Sequence, residues 1–237
     1  MSYQPVPALG KDWLTPFYDV LLALGGLGAP LTKRVFERAH IQDGERVLDV
    51  GCATATRLIA AKARYPTAHI VGVDTDERAL QIASKKIARH QIAVEVVQAR
   101  AEQLPFPSAS FDVVMSTLVF HHLPTEIKQQ AMHDIYRVLT PGGRFLLADF
   151  GKPEGMLLST LFALSRFMWA AEARYMQDNT EGKLPFFLEE AGFAVQELPP
   201  RYKGVQFLLA TKDASAKARG RHENSDSASQ RAQFRRM

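Results

Sequence analysis

Val47-Leu-Asp-Val-Gly-Cys-Ala-Thr-Ala-Thr56 decides the fold of this chain. Arg46 to Val50 is a short aliphatic run that reads as a strand, and the residues after it are almost all small. From Ala55 to Tyr65 the composition turns Ala-rich and helical, and Pro66 ends it. A strand that passes through small residues into a helix lets a bound group approach the backbone. The free N–H groups of the helix start then face that group.

Working outward, the same alternation repeats. Ala68 to Val73 reads as a second strand, Glu77 to His90 as a helix with Leu80, Ile82, Ala83 and Ile87 on its apolar face, and Val94 to Val97 as a third strand. Phe111 to Ser116 is a fourth strand, Thr125 to Leu139 a helix, Thr140-Pro-Gly-Gly143 a tight turn and Arg144 to Ala148 a fifth strand. A short helix from Leu184 to Ala191, stopped by Gly192, and two β-like runs at Phe193 to Glu197 and Val205 to Thr211 follow. Alternating strands and helices predict β-α-β units around a parallel sheet. Residues 1 to 40, with a helix-like Trp13 to Leu24, and residues 152 to 180, with LLSTLFALSRFMWAAEARYM, fall outside the alternation. They read either as extra cover on the core or as a lid over the carboxyl ends of the strands, where open α/β sheets bind ligands.

Composition narrows the function. The 237 residues carry 29 Lys and Arg against 25 Asp and Glu, a formal charge of +4. The segment from Lys212 to Met237 accounts for the whole surplus, so the body is neutral and a nucleic-acid footprint is not expected. That tail is rich in Ser, Ala, Gln and Arg and reads as disordered, with an anionic-surface contact left open. The one cysteine, Cys52, forbids an internal disulfide, no metal-ligand cluster is spaced for coordination, and neither a secretory signal nor a membrane span is read. A cytoplasmic setting is the expectation, with no obligate protein partner.

Two further motifs complete the reading. Val71-Gly-Val-Asp-Thr-Asp76 puts an acid at the tip of the second strand, where it can accept from vicinal ribose hydroxyls. Ala101-Glu-Gln-Leu-Pro-Phe-Pro-Ser-Ala-Ser-Phe-Asp112 leads into the fourth strand, which ends on the polar pair Ser116-Thr117. In this order the features resemble the class I S-adenosylmethionine-dependent methyltransferases, and within them the ubiquinone and menaquinone biosynthesis-like branch. The resemblance covers about residues 44 to 150, and the LPF…SFD and RVLTPGGRFLLAD segments are its most specific parts. It implies a Rossmann-like α/β fold with a mostly parallel seven-stranded sheet, an antiparallel last strand and helices on both faces. It divides the chain into an N-terminal helical cap (1–40), a methyltransferase domain (41–211) with a helical lid insert (152–180), and the basic tail (212–237).

The resemblance also implies S-adenosylmethionine as cofactor and assigns roles around it. Asp49, Gly51, Ala53 and Thr54 would meet its methionine part, Asp74 with Thr75 its ribose, Arg100 and Ala101 its adenine, and Thr117 the floor beneath it. The sequence departs from the pattern where Ala53 and Ala55 stand in place of glycines and Arg100 in place of an Asp or Asn. An alanine resists positive φ, and an arginine cannot accept from an adenine amino group, although it can stack on the ring. These departures keep a second reading alive: a binding or regulatory protein that retains the fold without the chemistry. A nicotinamide-dependent oxidoreductase is disfavoured because the loop lacks G-x-G-x-x-G.

Methyl transfer from a sulfonium needs alignment and desolvation, and a base only if the acceptor must lose a proton. The His121-His122 pair after the fourth strand supplies the candidate, His122. Tyr18, Phe162 and Trp169 are the candidate acceptor contacts, which suggest a small hydrophobic or aromatic molecule. The same apolar helix, with Arg166 and Arg174, leaves a membrane-surface contact open.

Overall fold

The computed structural model describes the backbone of residues 18–153 and 170–214, and the side chains of 19–153 and 175–214. Phe162 and Trp169, the rest of the apolar stretch expected around Leu157 and most of the basic tail lie outside the described residues, as does the side chain of Tyr18.

Two short helices, α1 (Tyr18–Leu24) and α2 (Ala29–Ala39), precede the sheet. Then come β1 (Arg46–Val50), α3 (Thr56–Arg64), β2 (His69–Asp74), α4 (Glu77–His90), β3 (Val94–Gln98), β4 (Phe111–Thr117), α5 (Thr125–Val138) and β5 (Leu139–Phe150). Helices α6 (Ala170–Thr180) and α7 (Leu184–Glu190) and strands β6 (Ala194–Glu197) and β7 (Val205–Thr211) close the chain. Local chemistry explains several of these boundaries. The Asp76 carboxylate accepts from the N–H groups of Arg78 and Ala79 at 2.9 and 3.2 Å and caps α4, and Gln91 ends it in the left-handed conformation.

The seven strands lie in the order β3-β2-β1-β4-β5-β7-β6, and β7 runs antiparallel to the other six. The order reverses direction between β1 and β4, which makes the crevice above their carboxyl ends the place where such a sheet takes ligands. Alternate side chains feed two cores. Leu48, Val50, Val114 and Phe145 pack on the face that carries α5 and α7. Val47, Val113, Met115 and Leu146 pack on the face that carries α2, α3 and α4.

Two differences from the sequence reading have local causes. Helix α2 is additional to the expected elements: Pro30 opens it, and Leu31, Val35, Phe36 and Ala39 bury one stripe. Strand β5 starts at Leu139 instead of after the Thr140–Gly143 turn. Leu139 already pairs with Phe111 before a register shift brings Arg144 opposite Val113, so the turn residues form a bulge within the strand.

Helix α6 is pinned to α5 by a buried charge. Lys128 has no solvent exposure, and its ammonium donates to the Tyr175 carbonyl and, at 3.1 Å, to Asp178, which also accepts from the Thr125 hydroxyl at 2.7 Å. Burial lowers the Lys128 pKa, and the Asp178 carboxylate opposes that shift.

Candidate active site

The Gly51–Thr56 loop is built against the tip of β2. The N–H groups of Gly51 and Cys52 both donate to the Val73 carbonyl, at 2.8 and 3.0 Å. Gly51 sits at φ 81°, and a Cβ there would lie 2.2 Å from Val119 Cγ2, so only glycine fits. Asp74 completes the brace: Oδ2 accepts from the Ala53 N–H at 2.8 Å and Oδ1 from the Asp76 N–H at 2.9 Å. Burial pushes the Asp74 pKa up, and these N–H groups oppose the shift.

The alanines do not prevent the left-handed loop. Ala53 has φ 46° and Ala55 φ 61°, so both adopt the conformation for which glycine is ordinarily used. A Cβ there costs about 1–2 kcal/mol. Two effects offset it: both methyls are buried, each worth about 0.8 kcal/mol, and alanine loses less chain entropy than glycine. Ala55→Gly is therefore expected to change stability by less than about 1 kcal/mol. Ala55→Val, a branched residue at positive φ with no room, should cost more than about 2 kcal/mol. Urea unfolding of the two variants checks this, and a valine variant as stable as the parent would refute the geometry.

Asp49 and Thr117 stand at adjacent strand tips. Asp49 pairs with Met115 in the β1–β4 ladder, so Thr117 lies two residues further along on the same face. Asp49 is fully buried, accepts from Arg57 Nη1 at 3.3 Å through Oδ2, and has no partner at Oδ1 among the described residues. Burial raises its pKa, Arg57 opposes that and Asp74 adds to it. The Thr117 hydroxyl is also buried without a partner among the described residues. Thr54, in contrast, has its hydroxyl engaged: it lies 2.9 Å from either oxygen of Asp19, on α1. Thr56 donates to the same carboxylate, and Lys86 of α4 reaches all three groups. Burial would raise the Asp19 pKa, but Lys86 and the hydroxyls outweigh it and hold it low. This strap ties the N-terminal cap to the loop, and Asp19 and Lys86 were not among the residues singled out from sequence.

At the residues that the resemblance assigns to the adenine and ribose, the Thr75 carbonyl accepts from Gln98 Nε2 at 3.1 Å, and Ala101 packs against the core. The Arg100 guanidinium is bonded to Glu102, two residues on. A cavity of about 640 Å³ opens between α1, α2 and α3 beside the loop. Gly51 to Thr54 and Arg57 form its floor, with Leu22, Leu27 and Phe36 among its walls, while Asp74 and Thr117 lie outside it.

The histidines differ sharply. His122 is desolvated beside His121, which lowers its pKa from 6.5 to about 3. His121 instead places Nδ1 2.7 Å from Asp149 Oδ1. Asp149, at the end of β5 and fully buried, accepts through Oδ2 from the N–H groups of Val119, Phe120 and His121 at 3.0, 2.7 and 3.3 Å. Burial alone would raise the Asp149 pKa, but the attraction of His121 and the donated hydrogen bonds outweigh it and hold it low. The sequence reading did not single out Asp149. Its available signal was an acid at the tip of the strand next to the one that leads into the two histidines.

Comparison with known proteins agrees with this geometry. Residues 47–143 match the methyltransferase domain family. Demethylmenaquinone methyltransferase of Deinococcus radiodurans is 33% identical over 156 residues, covering 64% of this chain and 63% of that protein. Ubiquinone/menaquinone biosynthesis C-methyltransferase UbiE of a Marinomonas species is 32% identical over 155 residues, covering 61% and 59%. The chain thus spans less than two thirds of the length of either relative. Phosphoethanolamine N-methyltransferase 2 of Haemonchus contortus, solved with S-adenosyl-L-methionine, shares the fold at a TM-score of 0.66 and 20% identity, covering 79% of this chain and 53% of that one. The reversed strand order, the loop braced by the second strand's acid and these likenesses give the chain the class I S-adenosylmethionine-dependent methyltransferase fold, and over the matched residues it is similar to ubiquinone/menaquinone biosynthesis methyltransferases.

Proposed function

We propose that this protein transfers a methyl group from S-adenosylmethionine to a small apolar or aromatic acceptor. The observation that carries the reading is the small-residue loop, held in left-handed geometry at the switch point of the sheet with Asp74 at its edge. The residues fit the cofactor: two buried polar atoms, Asp49 Oδ1 and Thr117 Oγ1, lack partners among the described residues at the ends of neighbouring strands, and a ligand rich in hydrogen-bonding groups would satisfy both. Asp74 retains lone pairs for ribose hydroxyls beyond the two N–H groups it accepts. The cofactor would supply an electrophilic methyl group on a sulfonium.

The chain's own residues then have three tasks. Loop and strand tips hold the donor, so that a displacement in line becomes a matter of alignment. Buried walls exclude water. Where the acceptor must lose a proton, His121 is better placed to hold it than His122, because Asp149 fixes the ring through Nδ1 and leaves Nε2 for the proton. The names of the relatives, which point to quinone-type acceptors, and the apolar walls of the cavity support an apolar acceptor. No described helix is long and apolar enough to cross a membrane, and the partner in this reading is a small molecule.

Calorimetric titration with S-adenosylmethionine and S-adenosylhomocysteine tests the reading. Micromolar binding is expected, and Asp74→Ala should weaken it at least about 30-fold, since a buried carboxylate would lose its hydrogen bonds to the ribose. Failure of the parent protein to bind either nucleoside would remove the proposal.

A further inference from the structure

Helix α1 has two faces, and only one of them meets the rest of the described protein. Asp19, Leu22 and Ala23 follow the helical period along the inner face, where they line the cavity, and Asp19 is held by Lys86. Val20, Leu21 and Leu24 fall on the opposite face and are 55%, 42% and 80% exposed. They are three of the four large apolar side chains that stand exposed among the described residues, gathered on one helix of seven residues. Single apolar residues on a surface are ordinary, whereas a cluster marks a contact surface.

The surroundings of this face are positive although the body of the chain is neutral. The loop between β6 and β7 folds against the end of α1: Lys203 Nζ donates to the Gly25 carbonyl and the Tyr202 hydroxyl to that of Gly26, both at 2.9 Å. Arg34 of α2 lies over the Tyr202 ring, its Cζ 4.1 Å from the centroid, and Arg38 Nη2 reaches the carbonyls of Pro199 and Pro200. Lys33, 71% exposed, and Arg201 complete a corner of five cations, against which stand Glu37 and Glu197, paired with Lys33 and Arg201.

We propose that α1 and this basic corner dock the protein on an anionic lipid surface, with Val20, Leu21 and Leu24 entering the headgroup boundary and Lys33, Arg34 and Lys203 facing the lipid phosphates. The surface is independent of the methyl-transfer reading. An apolar helix face with cations beside it is the form that lies in a membrane interface. Each cation brought to an anionic bilayer adds about fivefold in affinity, the equivalent of about 1 kcal/mol. Two other partners fit less well. Three aliphatic side chains fall short of the roughly 800 Å² that each partner of a stable dimer buries, and they offer nucleic-acid bases no ring to stack on. Since the inner face of α1 lines the cavity, docking sets that cavity beside the lipid.

Sedimentation of the full chain with vesicles is the test, using phosphatidylcholine alone and phosphatidylcholine mixed with about a third phosphatidylglycerol. The parent should bind the mixed vesicles at least about tenfold more tightly than the neutral ones and leave them in high salt. Leu21→Ser with Leu24→Ser should weaken that binding at least about tenfold. Both side chains are exposed, so their replacement uncovers no core, and an unchanged melting temperature separates lost docking from unfolding. Arg34→Gln with Lys203→Gln should weaken binding to the mixed vesicles about 25-fold, two charges at about fivefold each, and leave neutral vesicles unaffected. A parent that stays in the supernatant with both vesicles overturns the inference. So does a leucine variant that binds as the parent does, which would place the lipid contact elsewhere in the chain. Light scattering that shows a dimer without lipid, and a monomer after the leucine exchanges, would make the face a contact between copies and overturn it as well. None of these results touches the cofactor reading, which stands or falls on the calorimetric titration.

Discussion

Asp149→Ala is expected to cost about 3–5 kcal/mol of stability, the range seen when one partner of a buried charged network is removed. The carboxylate accepts from three successive N–H groups after β4, from the Phe150 N–H at 2.7 Å and from His121 Nδ1. An alanine leaves those donors facing a hole, and each unmet donor carries its own desolvation cost. Asp149→Asn separates stability from chemistry. Its one carbonyl oxygen can serve either the row of N–H groups or the His121 ring, so the amide NH₂ faces the other. If NH₂ faces His121, Nδ1 must accept and the proton moves to Nε2, where the ring can no longer take one from an acceptor. For an acceptor that must lose a proton, methyl transfer by Asp149→Asn should fall about 10²- to 10⁴-fold, the usual contribution of a positioned base. Chemical denaturation and turnover with S-adenosylmethionine measure the two effects. An asparagine variant with parental turnover on such an acceptor would rule out a role for the Asp149–His121 pair in proton transfer.

His122 gives the second large effect, and it is one of pH. Its folded pKa is depressed from 6.5 to about 3 by desolvation and by the neighbouring His121, whose ring centroid is 3.9 Å away. Below pH 6.5 the unfolded chain takes up a proton at this residue and the folded chain does not. The contribution is therefore fully present above pH 6.5 and is lost as the pH falls toward 3. The slope approaches about 1.4 kcal/mol per pH unit, so about 2 kcal/mol should disappear between pH 6 and pH 4.5, before the low-lying carboxylates titrate. His122→Gln should flatten that limb. Denaturation midpoints across the range would show it, and parallel curves for parent and variant would contradict the burial of His122.

The same geometry weakens the degenerate, non-catalytic reading that the sequence left open. Its support was Ala53 and Ala55 in place of glycines, and both alanines occupy the left-handed region with their methyls in the core. Arg100 remains a departure, but its guanidinium is paired with Glu102 instead of standing as an isolated charge.

The sequence by itself determined the alternation of strands and helices, and it did so closely where one period dominated. Helix α4 and strand β7 occupy the residues expected of them, Glu77–His90 and Val205–Thr211. The apolar stripe that each must bury is written within a few consecutive residues, and Asp76 and Gln91 mark the ends of α4 by local hydrogen bonding and backbone conformation. The positions of Asp74 and Thr117 at strand ends were legible for the same reason, since each follows directly from where its strand stops, whereas Asp49 was assigned through the family resemblance. Helix α2 is written in the sequence too, by Pro30 and the stripe of Leu31, Val35, Phe36 and Ala39 after it.

Only the tertiary structure decided which of these residues meet. His121 and Asp149 are 28 residues apart, Asp19 and Lys86 are 67 apart, and Arg57 reaches Asp49 across the turn from helix to strand. Such pairs depend on strand register and helix placement, which no local period encodes. The loop alanines make the same point: intrinsic preference argued against positive φ, and two N–H groups on Val73, one on Asp74 and buried methyls decided for it, because tertiary contacts outweigh a local cost of about 1–2 kcal/mol.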